Sequence, residues 1–395
     1  MPYYISGAIP GFFDALFEST SGFTTTGSSI LNDIESLPKS MLFWRALTHW
    51  LGGMGIIMLM VAIFPFFKVG GIHLMTAEGS LFGVDKIKPR IINVAKRLWI
   101  IYVILTLSET LLLKLAGMSL FDSVCHSFAT VATGGFSTQN ASLINDSPLV
   151  QYIVIVFMFL SGVNFALHYY GLKLNIREIW VNEEFRLYAM LIMVISALIA
   201  GNLYVTGGKG FFTAIRESLF QVVSIITCTG FASADYEFWP VFAKCMLFLT
   251  MFLGACTGST GGGIKIARFV LLYKSMVMVF KKMMFRNTVT FVTMNHKVIE
   301  ERFVMSTFTF VMIYFLTICI GTMVLSTTGI DLHTAGSSIV TTLGGIGPGF
   351  GKVGPVENFY SLSDFAKFYL SFNMVLGRLE ILPFLYLVYL PFSKY

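Results

Sequence analysis

Four Thr/Gly-rich tracts interrupt the apolar runs of this chain and tie it to a repeated architecture. They read Thr24-Thr25-Thr26-Gly27, Ala132-Thr133-Gly134-Gly135-Phe136, Thr227-Cys228-Thr229-Gly230-Phe231 and Gly344-Gly345-Ile346-Gly347-Pro348. The marker glycines Gly27, Gly135, Gly230 and Gly347 stand 108, 95 and 117 residues apart, a period of about one hundred residues repeated four times. Fourfold repetition in an apolar chain implies a central axis, and backbone-rich loops meeting on an axis imply an ion path. Non-helical backbone at membrane depth is tolerated only where protein buries it or a water-filled space lies beside it.

The apolar runs fix the class. Of 395 residues, 55% are apolar and 12% charged, with 39 Phe and 21 Met and a mean hydropathy of +0.76. A soluble domain carries about 25% charged residues. Each membrane span needs about 20 apolar residues, so the chain has room for several. The net charge of +6 is no nucleic-acid signature, because the basic residues sit in two inner clusters. Lys68, Lys86, Lys88, Arg90, Lys96 and Arg97 form one; Lys265, Arg268, Lys274, Lys281, Lys282, Arg286, Lys297 and Arg302 form the other. The segments around the four tracts are nearly free of Lys and Arg, which places the tracts toward the outside and the basic loops in the cytoplasm. Topology and lipid headgroup contact account for the basic runs. The five cysteines (Cys125, Cys228, Cys245, Cys256, Cys319) are scattered, with no CxxC or Cys/His spacing, and read as small core residues. Residues 1–10 lack the basic start and apolar core of a cleavable signal peptide.

Each repeat reads as an apolar span, a short amphipathic segment ending in the tract, and a return span. The second repeat has spans at about 91–116 and 149–172 with a short segment at 119–131. The third uses about 186–206, 211–226 and 240–280, and the fourth about 303–328, 332–342 and 362–391. The first has a short segment at 11–21 and a return span at about 41–66, with no leading span. The expected division is therefore 1–66, 67–172, 173–282 and 283–395. Such short segments fit half-helices entering from outside. Thirteen residues before the marker stand Asp14, Asp122 and Glu217, acids suited to a helix start, and Thr334 as a neutral cap in the fourth repeat. The half-helix C-termini would then turn partial negative charge and free carbonyls toward the axis, where a cation is favoured.

A dehydrated monovalent cation needs oxygens in place of water, and rings of backbone carbonyls supply them. Glycine permits the backbone angles that aim successive carbonyls at one axis, and threonine adds a hydroxyl acceptor. The expected filter comprises Thr24, Thr25, Thr26, Gly27, Ala132, Thr133, Gly134, Gly135, Thr227, Cys228, Thr229, Gly230, Gly345, Ile346 and Gly347. Four tracts in register with matching short segments argue against ordinary Gly/Thr turns.

These residues resemble the Trk/Ktr/HKT superfamily of potassium transporters and, within it, the bacterial TrkH-like branch. The resemblance covers nearly the whole chain. It rests on Phe17-Glu18-Ser19 before the first tract, Trp50-Leu51-Gly52-Gly53-Met54-Gly55-Ile56, and His126-Ser127-Phe128 before Gly134-Gly135-Phe136-Ser137-Thr138. It continues with Ala255-Cys256-Thr257-Gly258-Ser259-Thr260-Gly261-Gly262-Gly263-Ile264-Lys265, Gly347-Pro348-Gly349 and Gly377-Arg378-Leu379-Glu380. The resemblance implies an all-α polytopic membrane protein of four helix–pore loop–helix pseudo-repeats around one pore per subunit. It also implies homodimers in the bacterial inner membrane, transported K+ with no other cofactor, and a cytoplasmic nucleotide-binding regulatory subunit, a TrkA-like ring. A glycine in the first loop goes with potassium preference, whereas some plant relatives with serine there favour sodium.

Two features below the tracts matter. Residues 254–265 carry five glycines inside the third return span. At about 1 kcal/mol per glycine relative to alanine, that span should break. The resemblance makes Gly258, Ser259, Thr260, Gly261, Gly262, Gly263 and Lys265 an intramembrane gating loop; a static kink is the alternative. A nucleotide P-loop is excluded, because Ile264 stands where the lysine is required. Arg378 lies in an apolar final span, and intramembrane charges face a cavity or a partner. The resemblance makes it a barrier to cations beneath the filter, and an ion pair with Glu380 or a neighbouring acid is the alternative. The six histidines share no metal spacing and read as packing residues; Trp44, Trp50, Trp99, Trp180 and Trp239 fall near span ends.

The resemblance starts at Pro2-Tyr3-Tyr4-Ile5-Ser6-Gly7, where family members have a preceding helix, so Met1 is expected to mark a truncated start. Potassium uptake is the expected function. A sodium-permeable relative and a non-transporting truncated scaffold are the rivals. No HExxH, GxSxG or paired-carboxylate pattern supports an enzyme.

Overall fold

The periodic apolar runs become helices, and the Thr/Gly tracts become the places where helices stop. The computed structural model describes residues 2–63, 87–285, 290–295 and 297–389; Lys68, His73, Lys86, Arg286 and His296 lie outside them. Among the described residues the fold is helical apart from one two-stranded hairpin pairing Thr293 with Val298 and Met294 with Lys297. Three long helices carry an apolar stretch able to cross a membrane, at Val94–Leu115, Glu183–Val205 and Glu301–Ser326. They turn large apolar side chains outward, among them Leu107, Leu111, Met193, Met312 and Met323. A lipid-facing wall looks like this.

Four short helices alternate with the long ones: Phe12–Phe23, Leu120–Val131, Phe211–Ile226 and Leu332–Gly344. Their starts follow local chemistry. Ser119 caps the second by accepting from the Asp122 amide at 3.0 Å. The fourth is capped by Asp331, which accepts from the Thr334 amide at 3.0 Å. The expected cap, Thr334, is therefore the donor, and the acid of this repeat sits three residues earlier. Glu217 also departs from expectation: its helix begins at Phe211, so the carboxylate lies in the second turn and pairs with Lys209 instead of facing the helix start.

The return helices hold a second correction. The span expected at 149–172 breaks at Gly162–Asn164 into Pro148–Ser161 and Phe165–Leu172, which meet at 106°. The span expected at 362–391 breaks after Arg378, with Glu380 at φ 62° before Ile381–Tyr389. The third return helix stops at Thr250 and resumes at Ile266. Among the described residues of the return spans, only Lys39–Ile63, in the first repeat, runs unbroken, and positions 64–66 of its expected span lie outside the described residues. Trp50 lies in the middle of that helix, not at its end, where it stacks on Phe128 at 5.3 Å and donates to the Thr106 hydroxyl at 3.2 Å. Trp239 is buried as well.

The last repeat folds back on the first. Helix Asp364–Arg378 places Lys367 2.6 Å from Asp14 and Phe368 6.3 Å from Phe13. Lys367 is buried while Asp14 keeps some solvent contact. Replacing Lys367 with methionine strands that carboxylate. The variant should lose about 2 kcal/mol of stability, less than a fully buried pair would, read as a lowered midpoint of thermal unfolding in detergent.

Candidate cation filter and the barrier below it

Every short helix ends in the same backbone manoeuvre. Thr25, Thr133, Cys228 and Gly345 take φ of 53°, 54°, 59° and 69°, and two residues later Gly27, Gly135, Gly230 and Gly347 take φ of 81°, 79°, 82° and 100°. Such left-handed backbone is costly for a β-branched threonine. Strain of this kind, about 1–3 kcal/mol per residue, collects at functional sites.

The four loops meet in a closed ring. A Cβ added to Gly27 would stand 2.0 Å from the Gly134 carbonyl oxygen; one on Gly135, 2.0 Å from that of Thr229; one on Gly230, 2.0 Å from that of Ile346. On Gly347 it would stand 2.8 Å from the Thr26 carbonyl oxygen. Each marker glycine thus abuts the carbonyl just before the next marker, in the order one, two, three, four and back to one. The loops above repeat this cycle. Arg45 Nη1 donates to the Ser137 carbonyl at 3.1 Å, and the Ala232 amide to the Ser142 hydroxyl at 3.1 Å. The Tyr236 hydroxyl donates to the Gly349 carbonyl at 2.9 Å, and the Phe359 amide to the Ser29 carbonyl at 2.9 Å.

The threonine hydroxyls do something other than expected. Thr24 and Thr26 Oγ1 lie 2.8 Å apart, as do Thr227 and Thr229 Oγ1, and Thr24 and Thr227 each donate back into their short helix at 2.7 Å. These four hydroxyls stiffen the first and third loops internally. Thr133 Oγ1 donates to the Ala132 carbonyl at 2.6 Å. Thr25 Oγ1 is buried and finds no hydrogen-bond partner among the described residues. The second and fourth loops carry Ala132, Gly134, Gly344 and Ile346 at those positions instead, so carbonyls are the oxygens common to all four.

A buried ion pair absent from the expected site braces the ring. Glu18 and Arg45 side chains are 0% and 2% exposed, with Arg45 Nε 2.9 Å from Glu18 Oε1. The carboxylate also accepts from the Ser29 hydroxyl at 3.1 Å and the Ile30 amide at 3.0 Å. The guanidinium lies over the Phe136 ring at 4.1 Å. One pair therefore holds the exits of the first and second loops. His49 packs behind them, its ring 4.0 Å from Phe136 and its Nδ1 2.8 Å from the Gly22 carbonyl. Among the described residues no His/Cys/Asp/Glu group could hold a metal ion.

The Gly-rich stretch lies directly under the loops. A Cβ on Gly262 would stand 2.2 Å from the Gly344 carbonyl oxygen, and one on Gly261 2.8 Å from that of Thr227. Thr260 donates to the Val131 carbonyl at 3.1 Å. Three of the four short-helix ends thus rest on residues 260–262. Gly258 abuts the Asn164 side chain, the Phe165 amide donates to the Gly258 carbonyl at 3.1 Å, and a Cβ on Gly263 would lie 3.6 Å from Cys228 Sγ. Lys265 is buried, with Nζ 2.5 Å from the Gly261 carbonyl and 3.5 Å from Ser259 Oγ. Arg378 reaches the same stretch, donating from Nη1 to the Thr260 carbonyl at 2.8 Å. The alternative partner, Glu380, is taken by Arg268 at 2.7 Å. Arg378 Nε and Nη2 are buried without a hydrogen-bond partner among the described residues.

A profile of the family described as "TrkH: Cation transport protein" matches residues 1–394. The chain belongs to the TrkH family. The Trk system potassium uptake protein TrkH of Salmonella typhimurium is 39% identical over 399 residues, covering 96% of this chain and 81% of that protein. The Trk system potassium uptake protein TrkG of Escherichia coli K12 is 33% identical, covering 94% of this chain and 77% of the relative. Among solved structures, that of the potassium transporter TrkH from Vibrio parahaemolyticus superposes with a TM-score of 0.88 at 35% identity, covering 97% of this chain and 80% of that one. TrkH is a family of membrane transporters and not of enzymes. Its helical pore-loop fold is the one described above.

Sequence reasoning assigned no role to Glu18, Arg45, Asn164 or Glu184. Arg45 left a trace as the basic residue out of place in the Lys/Arg-poor outer region. Glu18 left another as an acid inside an apolar short helix.

Proposed function

We propose that this chain carries potassium into the cell across the cytoplasmic membrane, through the ring formed by the four marker glycines and their neighbouring carbonyls. The ring's closure from the fourth loop back to the first supports this most strongly. One chain supplies a complete circle of backbone oxygens, fixed against each other at distances that leave no room for a side-chain carbon. Carbonyl rings replace the hydration shell of a dehydrated cation, and the ends of the four short helices add partial negative charge there. The repeat boundaries near residues 66, 172 and 282 belong to the same reading.

Beneath the filter, residues 258–263 with Lys265 and Arg378 form the barrier. A guanidinium held there without a carboxylate repels an ion leaving the filter. Two unit charges about 8 Å apart at an effective dielectric of about 20 repel by about 2 kcal/mol. Arg378→Ala should therefore raise rubidium uptake into liposomes by roughly tenfold or more with the rubidium-to-sodium ratio unchanged. Unaltered uptake would remove Arg378 from the barrier. The protein acts as a homodimer, with a cytoplasmic nucleotide-binding ring engaging the inner face. Lys281 and Lys282, in the last turn of the helix that leaves the Gly-rich stretch, offer that ring a basic handle. Competing rubidium and sodium uptake by the purified protein in liposomes tests the potassium reading. A rubidium preference is expected, and equal uptake of the two ions would favour a sodium-permeable transporter.

A further inference from the structure

The Gly-rich stretch is bound from below by one carboxylate that neither the filter nor the arginine barrier uses. Glu184 is buried at the start of helix Glu183–Val205. Its Oε1 accepts from the Thr257 amide at 2.6 Å, the Thr257 hydroxyl at 2.9 Å and the Ala267 amide at 3.1 Å. Thr257 stands just before Gly258 within the non-helical stretch, and Ala267 lies in the first turn of the helix that resumes at Ile266, so a single oxygen ties together both flanks of residues 258–263. Its neighbour Glu183 faces the other way. It pairs with Lys274 and accepts from the Asn295 amide at 3.3 Å, while Asn295 Oδ1 accepts from the Glu183 amide at 2.9 Å. Asn295 sits in the turn of the hairpin at 293–298, on the basic side of the membrane. Two adjacent carboxylates thus fasten one helix start to the cytoplasmic hairpin and to the stretch under the filter.

We propose that Glu184 is the positioning residue that clamps both ends of the Gly-rich stretch and so keeps it seated beneath the filter. Charge-assisted hydrogen bonds donated to an ionised carboxylate are about twice as strong as neutral ones. Glycine-rich backbone carries few side chains to pack and gives up much conformational freedom when ordered, so the bonds at its flanks add to those already described in holding it. Freed at both ends, residues 258–263 leave their seat against Gly344 and Thr227. The inference rests on the gating reading above, and the experiment separates the two.

Rubidium and sodium uptake are measured in liposomes bearing the native chain, Glu184→Ala, Glu184→Gln and Arg378→Ala. Glu184→Ala should raise rubidium uptake about tenfold, equivalent to about 1.4 kcal/mol of lost closed-state holding. Glu184→Gln keeps the accepting oxygen but not its charge and should fall between alanine and native. The rubidium-to-sodium ratio should stay native in both, whereas a general collapse of the pore would move it. Raised uptake with Arg378→Ala but native or reduced uptake with both Glu184 variants overturns the clamp alone. Native uptake in all three variants overturns the gating reading with it. A changed ion ratio in the Glu184→Gln variant assigns Glu184 to the filter's support and also overturns the clamp.

Discussion

Liposomes carrying Gly135→Ala should take up rubidium at least about a hundredfold more slowly than those carrying the native chain. The added Cβ would stand 2.0 Å from the Thr229 carbonyl oxygen, closer than any real contact, so one of the two backbones must move. At φ 79° alanine also pays about 1–2 kcal/mol for left-handed backbone. On the proposed filter, the atom displaced is an ion-lining carbonyl, and a dehydrated ion that loses one oxygen at a ring position is not compensated by water. A hundredfold loss corresponds to about 2.7 kcal/mol, within reach of one misdirected charge–dipole contact. Alanine at Gly27 or Gly230 should act equally, since their Cβ positions also fall 2.0 Å from a neighbouring carbonyl oxygen. At Gly347 the corresponding distance is 2.8 Å, so alanine there should be milder. Uptake measured across the four variants checks the ranking, and a uniform series would contradict the ring geometry.

The second large effect is on folding. Arg45→Met should leave Glu18 buried and short of its cation, at a cost of about 3–5 kcal/mol. Glu18→Gln should cost less, because the amide oxygen can still accept from Ser29 and Ile30. The expected result is little folded protein for Arg45→Met and recovery of much of it in the Glu18→Gln, Arg45→Met double variant. Size-exclusion profiles in detergent and thermal unfolding midpoints check this. If the single and double variants melt together, the pair does not brace the ring. The consequence reaches the filter because Arg45 also holds the Ser137 carbonyl and covers Phe136.

Much of this molecule is legible in the sequence because glycine spacing and apolar length are local signals. Four short helices fall where amphipathic segments too short to span a bilayer precede a glycine tract. The third return span breaks where five glycines make a helix expensive. The breaks at Gly162–Asn164 and at Glu380 left no such mark, since a single glycine or none stands there. They come from tertiary contact: the Cys256 amide donates to the Gly162 carbonyl at 3.0 Å, and Arg268 draws Glu380 aside. The roles of the threonine hydroxyls were also hidden. Composition shows that an acceptor exists but not that Thr24 donates back into its short helix while its hydroxyl pairs with that of Thr26. Glu184 resembled an ordinary acid at a helix start until the two flanks of a stretch more than seventy residues away were found on its oxygen.

Crystals grown in rubidium in place of potassium, measured at the rubidium absorption edge, test the central claim most directly. The four-loop filter predicts anomalous peaks on the axis enclosed by Gly27, Gly135, Gly230 and Gly347, lost when sodium replaces rubidium. Rubidium found elsewhere in the molecule, with none on that axis, would contradict it.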